Sequence, residues 1–332
     1  MCRNIFHFIF FLSLLTLTSC DDGIGNKPNS SGKTAEMIVV TSNQAKWEGS
    51  VGDTVRNFFN HDFEVLPQPE PLFELTHIPL ATFDETPMFQ SLHNILIIDI
   101  DSTLTKSRLD VRKDEWAYPQ TVIQISSPNE AEFYSYFETS KTTILGLLMK
   151  SERERLINTF SKFKDVEVIE DLKNQLKLTM ELPGGFYIAK KTADFMWIRK
   201  ETPKISQGIM IYMYDFIDTV AFDVSRIVAF RNSMTEEYIP GPSEGSFMTV
   251  SQDYLPVISK KIDFNGLFAV ETRGLWKLEN DFMGGPFISY TLVDEKRNKV
   301  VTIDGYVYAP NAPKRDLMIQ MEALIYSVEF TE

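Results

Sequence analysis

The sequence is poor in the residues that build metal centres and disulfide frameworks, with two cysteines and four histidines among 332 residues. Two cysteines cannot supply a disulfide-rich scaffold or a four-cysteine zinc site. Cations are also in deficit: 33 Lys+Arg face 46 Asp+Glu, a formal net charge of −13. Nucleic-acid binders concentrate Lys and Arg to displace counterions from phosphates, so this balance argues against one. Beyond the N-terminal segment no apolar run approaches the ~18 residues of a membrane-spanning helix. What is present is ordinary for a folded protein, 43% hydrophobic and 24% charged residues, enough for one large domain or two of usual size.

Met1 to Cys20 reads MCRNIFHFIFFLSLLTLTSC. Arg3 precedes an apolar run from Ile5 to Leu17, too short for a permanent span but suited to a signal-peptide core. The run ends in Leu17-Thr18-Ser19-Cys20, which resembles a bacterial lipobox. The small residues admit the extended backbone to the signal peptidase, and the cysteine sulfur carries a diacylglyceryl group. An A-x-A-like site for cleavage without lipidation is absent. Residues 1–19 are therefore expected to be a lipoprotein signal peptide, with Cys20 the lipid attachment point. Cys2 leaves with that peptide and Cys20 is acylated, so no thiol remains for a disulfide, a nucleophile or a metal. Three acyl chains, palmitate among them, exceed the two signals that stable anchoring needs, at ~0.8 kcal/mol per buried CH₂.

Residues 20–36 continue as CDDGIGNKPNSSGKTAE, a flexible tether with a reach of roughly 20 Å. The Asp21-Asp22 pair resembles the acidic signal that sends lipoproteins to the cell surface in Bacteroidetes-type bacteria. In other envelopes an acid after the cysteine marks retention at the inner membrane. The expected location is the cell envelope, outer membrane before inner, with the face left open.

Residues 37–332 read as an α+β globular region, antiparallel sheets in hairpin meanders with helices packed on them. Strands are expected at 36–41, 73–80, 94–100 and 121–126, and a helix near Asp53 with Val55, Phe58 and Phe59 inward. Asn129 caps a helix carrying Phe133, Phe137, Ile144 and Leu148. Ser151 with Glu154 reads as a capping box that opens a second one. Leu176, Leu178, Met180 and Leu182 alternate with polar residues as in a half-buried strand. Strands follow at 186–189, 195–199 and 209–215, then a helix from Asp223 that Pro240-Gly241-Pro242 stops. More strands lie between Leu267 and Tyr308. An amphipathic helix carrying Leu317, Met318, Met321, Leu324 and Ile325 closes the chain. A division into halves 37–164 and 165–332 is open, because no Pro/Gly-rich linker marks it.

The sharpest chemical signal is Ile95-Leu96-Ile97-Ile98-Asp99-Ile100-Asp101-Ser102-Thr103-Leu104. An apolar strand followed by D-x-D-x-T-L resembles the first motif of haloacid-dehalogenase-type phosphatases. That resemblance implies a Mg²⁺-dependent phosphohydrolase with Asp99 as nucleophile and Asp101 as acid/base. The rest of the pattern is missing: Ser126 lies close for a second motif, and Asp215, Asp218 and Asp223 replace the later acidic pair only loosely. His61, His77 and His93 lack metal-ligand spacing, so neither a metal nor a cofactor is expected. Tyr212 with Tyr214, Tyr306 with Tyr308, Tyr290, Trp197 and Trp276 are strand aromatics, able to pack a core or to stack on a sugar. Lys190, Lys191, Arg199, Lys200 and Lys204 form a local basic cluster that suits a solvated hairpin or an anionic partner.

Four stretches together resemble an uncharacterised lipoprotein family of Bacteroidetes-type bacteria, a domain of unknown function. They are Trp47 to Asp53 (WEGSVGD), Trp197 to Tyr212 (WIRKETPKISQGIMIY), Ile239 to Thr249 (IPGPSEGSFMT) and Arg273 to Tyr290 (RGLWKLENDFMGGPFISY). The resemblance spans Lys33 to the C-terminus. It implies an envelope lipoprotein of a Gram-negative cell and brings no catalytic residue with it. The expected role is non-catalytic binding or assembly at the membrane, with an envelope protein or glycan as partner. The alternative is the phosphohydrolase built on Asp99.

Overall fold

The computed structural model describes residues 27–331. Cys20, the signal peptide and the first part of the tether lie outside the described residues. In chain order the N-terminal half contains β1 (Glu36–Thr41), α1 (Gln44–Glu48), α2 (Ser50–Phe59), β2 (Glu74–Pro79), α3 (Leu80–Glu85), α4 (Pro87–Gln90), β3 (Asn94–Ile100), β4 (Arg108–Lys113), β5 (Thr121–Ser127) and α5 (Glu130–Phe160). The C-terminal half continues with α6 (Val166–Leu176), β6 (Leu178–Thr179), β7 (Tyr187–Lys191), β8 (Phe195–Glu201), β9 (Ser206–Asp215), α7 (Val224–Tyr238), β10 (Phe247–Ser251), β11 (Ile258–Phe264), β12 (Leu267–Glu279), β13 (Gly284–Asp294), β14 (Lys299–Tyr308), α8 (Arg315–Tyr326) and β15 (Glu329–Phe330).

The α+β class holds, and the antiparallel meander is the C-terminal sheet. Its order is β10-β12-β13-β14-β9-β8-β7, with β11 also on β12, and all its pairings are antiparallel. The N-terminal sheet differs. Its order is β2-β1-β3-β5-β4, and β1, β2, β3 and β5 run parallel, leaving only β4 antiparallel. The reason lies in the strands themselves. EMIVVT and NILIIDI are nearly continuous apolar runs, the mark of strands covered on both faces. Met37, Val39, Leu96, Ile98, Ile123 and Ile125 meet α2 and α5 on one face. Ile38, Val40, Ile95, Ile97 and Val122 meet Phe83 on the other.

Three expected boundaries move. The helix opened by Asn129, whose side chain accepts from the Glu132 backbone, runs unbroken for 31 residues. Ser151 is therefore no cap; its hydroxyl is 2.5 Å from that of Thr121 inside the protein. The alternating 176–182 segment becomes the end of α6 and a two-residue strand paired with β15. Leu178, Met180 and Leu182 are buried nonetheless. Strands β4, β10 and β11 and the short helices α1, α3 and α4 carried too weak a period to be read, and α6, despite Val168, Leu172 and Leu176 on one face, was not read as a helix.

One hydrophobic core joins the halves. Phe137, Ile144 and Leu148 of α5 belong to the same cluster as Met318, Met321 and Ile325 of α8 and Ile211, Ile288 and Ile303 of the C-terminal sheet. Charges stitch this seam. Arg153 Nη1 donates to Glu322 Oε1 (2.8 Å), Arg273 bonds Glu322 and Glu271 (2.7 Å each), and Tyr290 donates to Glu271 (2.9 Å). The opposite face of the C-terminal sheet carries α7 and a separate aromatic cluster that includes Trp197, Tyr212, Trp276, Phe287 and Tyr306.

Candidate functional site

The second face of the C-terminal sheet is where strand alternation sends the aromatics. Trp197 and Arg199 of β8, Gly208 and Met210 of β9, Tyr306 and Tyr308 of β14, and Trp276 and Leu278 of β12 project to one side. Two glycines make the room. Gly208 is paired with Tyr306, and a Cβ at 208 would stand 2.3 Å from the tyrosine ring. Gly285 is paired with Trp276, and a Cβ there would come within 2.1 Å of the Val307 carbonyl oxygen. At Gly208 the Tyr306 ring thus takes the space of a side chain, and at Gly285 the neighbouring β14 backbone does. Trp276 and Tyr306 meet edge to face at 5.5 Å.

Above these rings the sheet leaves a cleft of about 310 Å³. Trp197, Trp276, Tyr306 and Met248 are its floor. Ile239 to Pro242, the connection from α7 to β10, is one wall, and Leu278 and Met283 extend it. Arg199, Ser206 and Tyr308 stand at the opposite side. The proline wall is fixed by a tight loop: Gly241 N donates to Ser246 O (2.8 Å), and Ser246 Oγ to Ser243 O (2.6 Å). Ser243 Oγ also donates to Asp281 of the β12–β13 hairpin (2.5 Å).

Most polar atoms of the floor are already paired. Trp197 Nε1 donates to Tyr306 Oη (3.0 Å) and Trp276 Nε1 to Val307 O (3.2 Å). Burial pushes the Tyr306 pKa well up, so the hydroxyl stays neutral. Arg199 is the exception. Its guanidinium lies 4.6 Å from the Trp197 ring centroid and pairs with Glu201, while its buried Nε has no hydrogen-bond partner among the described residues. The cleft offers a mainly apolar lining with one guanidinium at its side, a set suited to holding a ligand.

The other residues singled out from the sequence lie apart from it. Asp99 stands at the end of β3, where Ser126 Oγ donates to it at 3.4 Å. Asp101 is half-buried and closes its own turn by accepting from Thr103 N (2.9 Å) and Oγ1 (2.8 Å), bonds that hold its pKa below the usual carboxylate range. Among the described residues no three His, Cys, Asp or Glu side chains gather as a metal-ligand set. Asp215 pairs with Lys299 (2.9 Å), Asp218 caps a 3₁₀ turn, and Asp223 precedes α7. His93 is buried with Nε2 2.8 Å from Lys33 O, and His61 contacts Phe58 O. His77 lies between Thr41 Oγ1 (2.8 Å) and Gln44 Oε1 (3.1 Å) and stacks on Trp47. That order resembles a nucleophile, base and orienting group. Thr41, however, is only 2% exposed and its hydroxyl also donates to Asn43 O, so it fastens a turn.

Tyr212 packs against Phe230 of α7, and Tyr290 faces the seam between the halves, so neither reaches the cleft. Lys191 pairs with Asp171, and Lys200 reaches over Phe186 on the opposite face. Pro240, Pro242 and Met283 were missed as site residues, because a helix stop and a hairpin tip read as punctuation. The signal that finds them is the grouping of the resembling stretches. Trp197 to Tyr212, Ile239 to Thr249 and Arg273 to Tyr290 are distant in sequence, yet all three line this one cleft.

The molecule is thus a two-sheet α+β protein with an aromatic cleft on the outer face of its antiparallel sheet. Residues 165–327 match the family model of a domain of unknown function (DUF4837), and residues 30–161 match that of a second one (DUF8532). Both models describe domains of unknown function. No curated protein matches the chain. Among solved structures, a point mutant of the protein Mog1 is similar at 10% identity and TM-score 0.32, over 47% of this chain and 92% of that one. The Saccharomyces cerevisiae Ran-binding protein Mog1p is similar at 10% identity and TM-score 0.31, over 47% of this chain and 91% of that one. No helix among the described residues is long and apolar enough to cross a membrane.

Proposed function

We propose that this chain is a lipid-anchored protein of the bacterial cell envelope, tethered through Cys20, and that it binds a partner through the aromatic cleft without chemistry of its own. Anchoring rests on the sequence: an apolar core of signal-peptide length, Leu17-Thr18-Ser19 and then Cys20. A Bacteroidetes-type lipoprotein of the outer membrane accords with Asp21-Asp22 and with the four resembling stretches. The observation that carries the binding role is the convergence of three of those stretches on one cleft. α7 covers Tyr212 and Phe287 nearby, and the cleft opens beside that helix, over rings that are themselves largely buried.

The test uses the full chain in a Gram-negative host fed labelled palmitate. The chain takes up label and fractionates with membranes, whereas Cys20→Ser takes up none and runs as the larger, uncleaved precursor. A photoreactive residue replacing Met283 gives one discrete adduct in cells. An unlabelled, soluble chain would sink the anchor, and the absence of any adduct would sink the binding role.

A further inference from the structure

The two sides of the cleft differ in charge. On the β7–β8 side, Lys190 is paired with Trp197 and Tyr187 with Arg199, so these side chains share the face that holds the cleft. Lys190 is exposed and makes no ion pair among the described residues, and neither does Lys204 in the following turn. The far side is acidic, with Glu244, Glu279 and Asp281 on the two loops that Ser243 and Asp281 join. The same hairpin ends in Phe282, fully exposed beside Met283. In a chain with a net charge of −13, a local cationic edge facing an acidic one gives the cleft an orientation.

The polar inventory narrows the occupant. A sugar ring carries several hydroxyls, each needing a donor or acceptor, but both indole N–H groups are used internally. Arg199, Ser206 and the Tyr308 hydroxyl are what remains. At about 310 Å³ the space is at the small end of ligand pockets and suits one large apolar side chain. An exposed Phe at the rim is the surface a protein partner covers and a water-loving glycan does not.

Resting on the reading of this cleft as a binding site, we infer that its occupant is a polypeptide segment of another protein. That segment presents an apolar side chain to the Trp197–Trp276–Tyr306 floor and a carboxylate, on one flank only, to Arg199. The carboxylate pairs with the Arg199 guanidinium beside Glu201, with Lys190 adding charge. The far flank stays neutral or basic against Glu279 and Asp281. Phe282 packs on the outside of the segment.

The experiment measures fluorescence polarisation of dye-labelled nonapeptides against the full chain in detergent. Each peptide has a central Phe in a Gly/Ser frame, with two Glu, two Gln or two Lys on one flank, in both chain directions. The Glu peptide of one direction is expected to bind about tenfold tighter than its Gln counterpart, as a charge-assisted bond to Arg would give, and the Lys peptide weaker still. Arg199→Met removes the difference between Glu and Gln. Phe282→Ser, at a position that supports no packing, weakens binding several-fold with the melting temperature unchanged. Equal binding of Glu and Gln peptides would overturn the carboxylate assignment. Binding of polygalacturonate in place of every peptide would overturn the polypeptide occupant yet leave a binding cleft. Failure of all probes, together with no adduct at Met283, would remove the binding role itself.

Discussion

Arg231 reaches from α7 to Asp304 in the middle of β14, with bonds of 2.7 and 3.2 Å, both groups being almost fully buried. Burial raises the Asp304 pKa and the arginine charge opposes it. Such a pair contributes little net stability, but a lone survivor is costly, by about 3–5 kcal/mol. Asp304→Asn should therefore lower the urea unfolding free energy by about 3 kcal/mol or more. The Arg231→Met/Asp304→Leu double variant should recover most of that loss, which the same titration checks. Asp99→Asn touches only a long 3.4 Å bond at a half-buried position and should change stability by less than ~0.5 kcal/mol. It should also leave the Met283 adduct intact. A lost adduct would return Asp99 to the functional account. His77 and His93 have pKa values below 6.5, lowered first by burial and then by Arg56 and Arg155. Below pH 6.5 the unfolded chain then binds more protons than the folded one, so stability falls on acidification and rises with pH. Urea midpoints between pH 5 and 7 should show this slope, and it should flatten in His77→Gln.

At the scale of the element, the apolar pattern placed β9, which is buried on both faces, to within a few residues of its ends. It could not distinguish parallel from antiparallel pairing, because EMIVVT gives no sign of which neighbour it meets. A capping pattern misled at Ser151, because Thr121 and the packed face of α5 outweigh a local N-terminal preference worth ~1 kcal/mol. The cleft was half legible: Trp197, Trp276, Arg199, Tyr306 and Tyr308 stood out as chemistry. Pro240, Pro242 and Met283 become visible only when the register of four strands brings them over the same floor. Register also makes Gly208 the pivot of the site. Gly208→Ala forces its new methyl into the Tyr306 ring, at a cost of roughly 1–3 kcal/mol as overpacking does. It should also break the Trp197–Tyr306 bond, seen as a shift in tryptophan emission at temperatures well below unfolding.

At the scale of the whole molecule, the two family matches meet between residues 161 and 165, whereas the core does not divide there. Phe137 and Ile325 belong to one cluster, and Arg153, Glu322, Arg273 and Glu271 tie α5, α8 and β12 across the seam. Trp47 and Trp116 report on the first half, Trp197 and Trp276 on the second. Chemical unfolding followed by tryptophan emission and by far-UV circular dichroism should therefore give coincident single transitions. Two separated transitions would mean that the shared core does not couple the halves.

The border of the antiparallel sheet has one more consequence. Ser251 of β10 is opposite Leu275 and Ile258 of β11 opposite Arg273, both on the same side of β12. The two strands are collinear, one long edge interrupted by the excursion 252–257, which carries the exposed Tyr254. At the other border β7 is short, interrupted after Ile188 and ended by Lys190 and Lys191. Neither border presents a long unbroken ladder of free amides and carbonyls. Such broken rims give a second copy no continuous border on which to lay a strand and zip into fibrils, however closely copies are crowded.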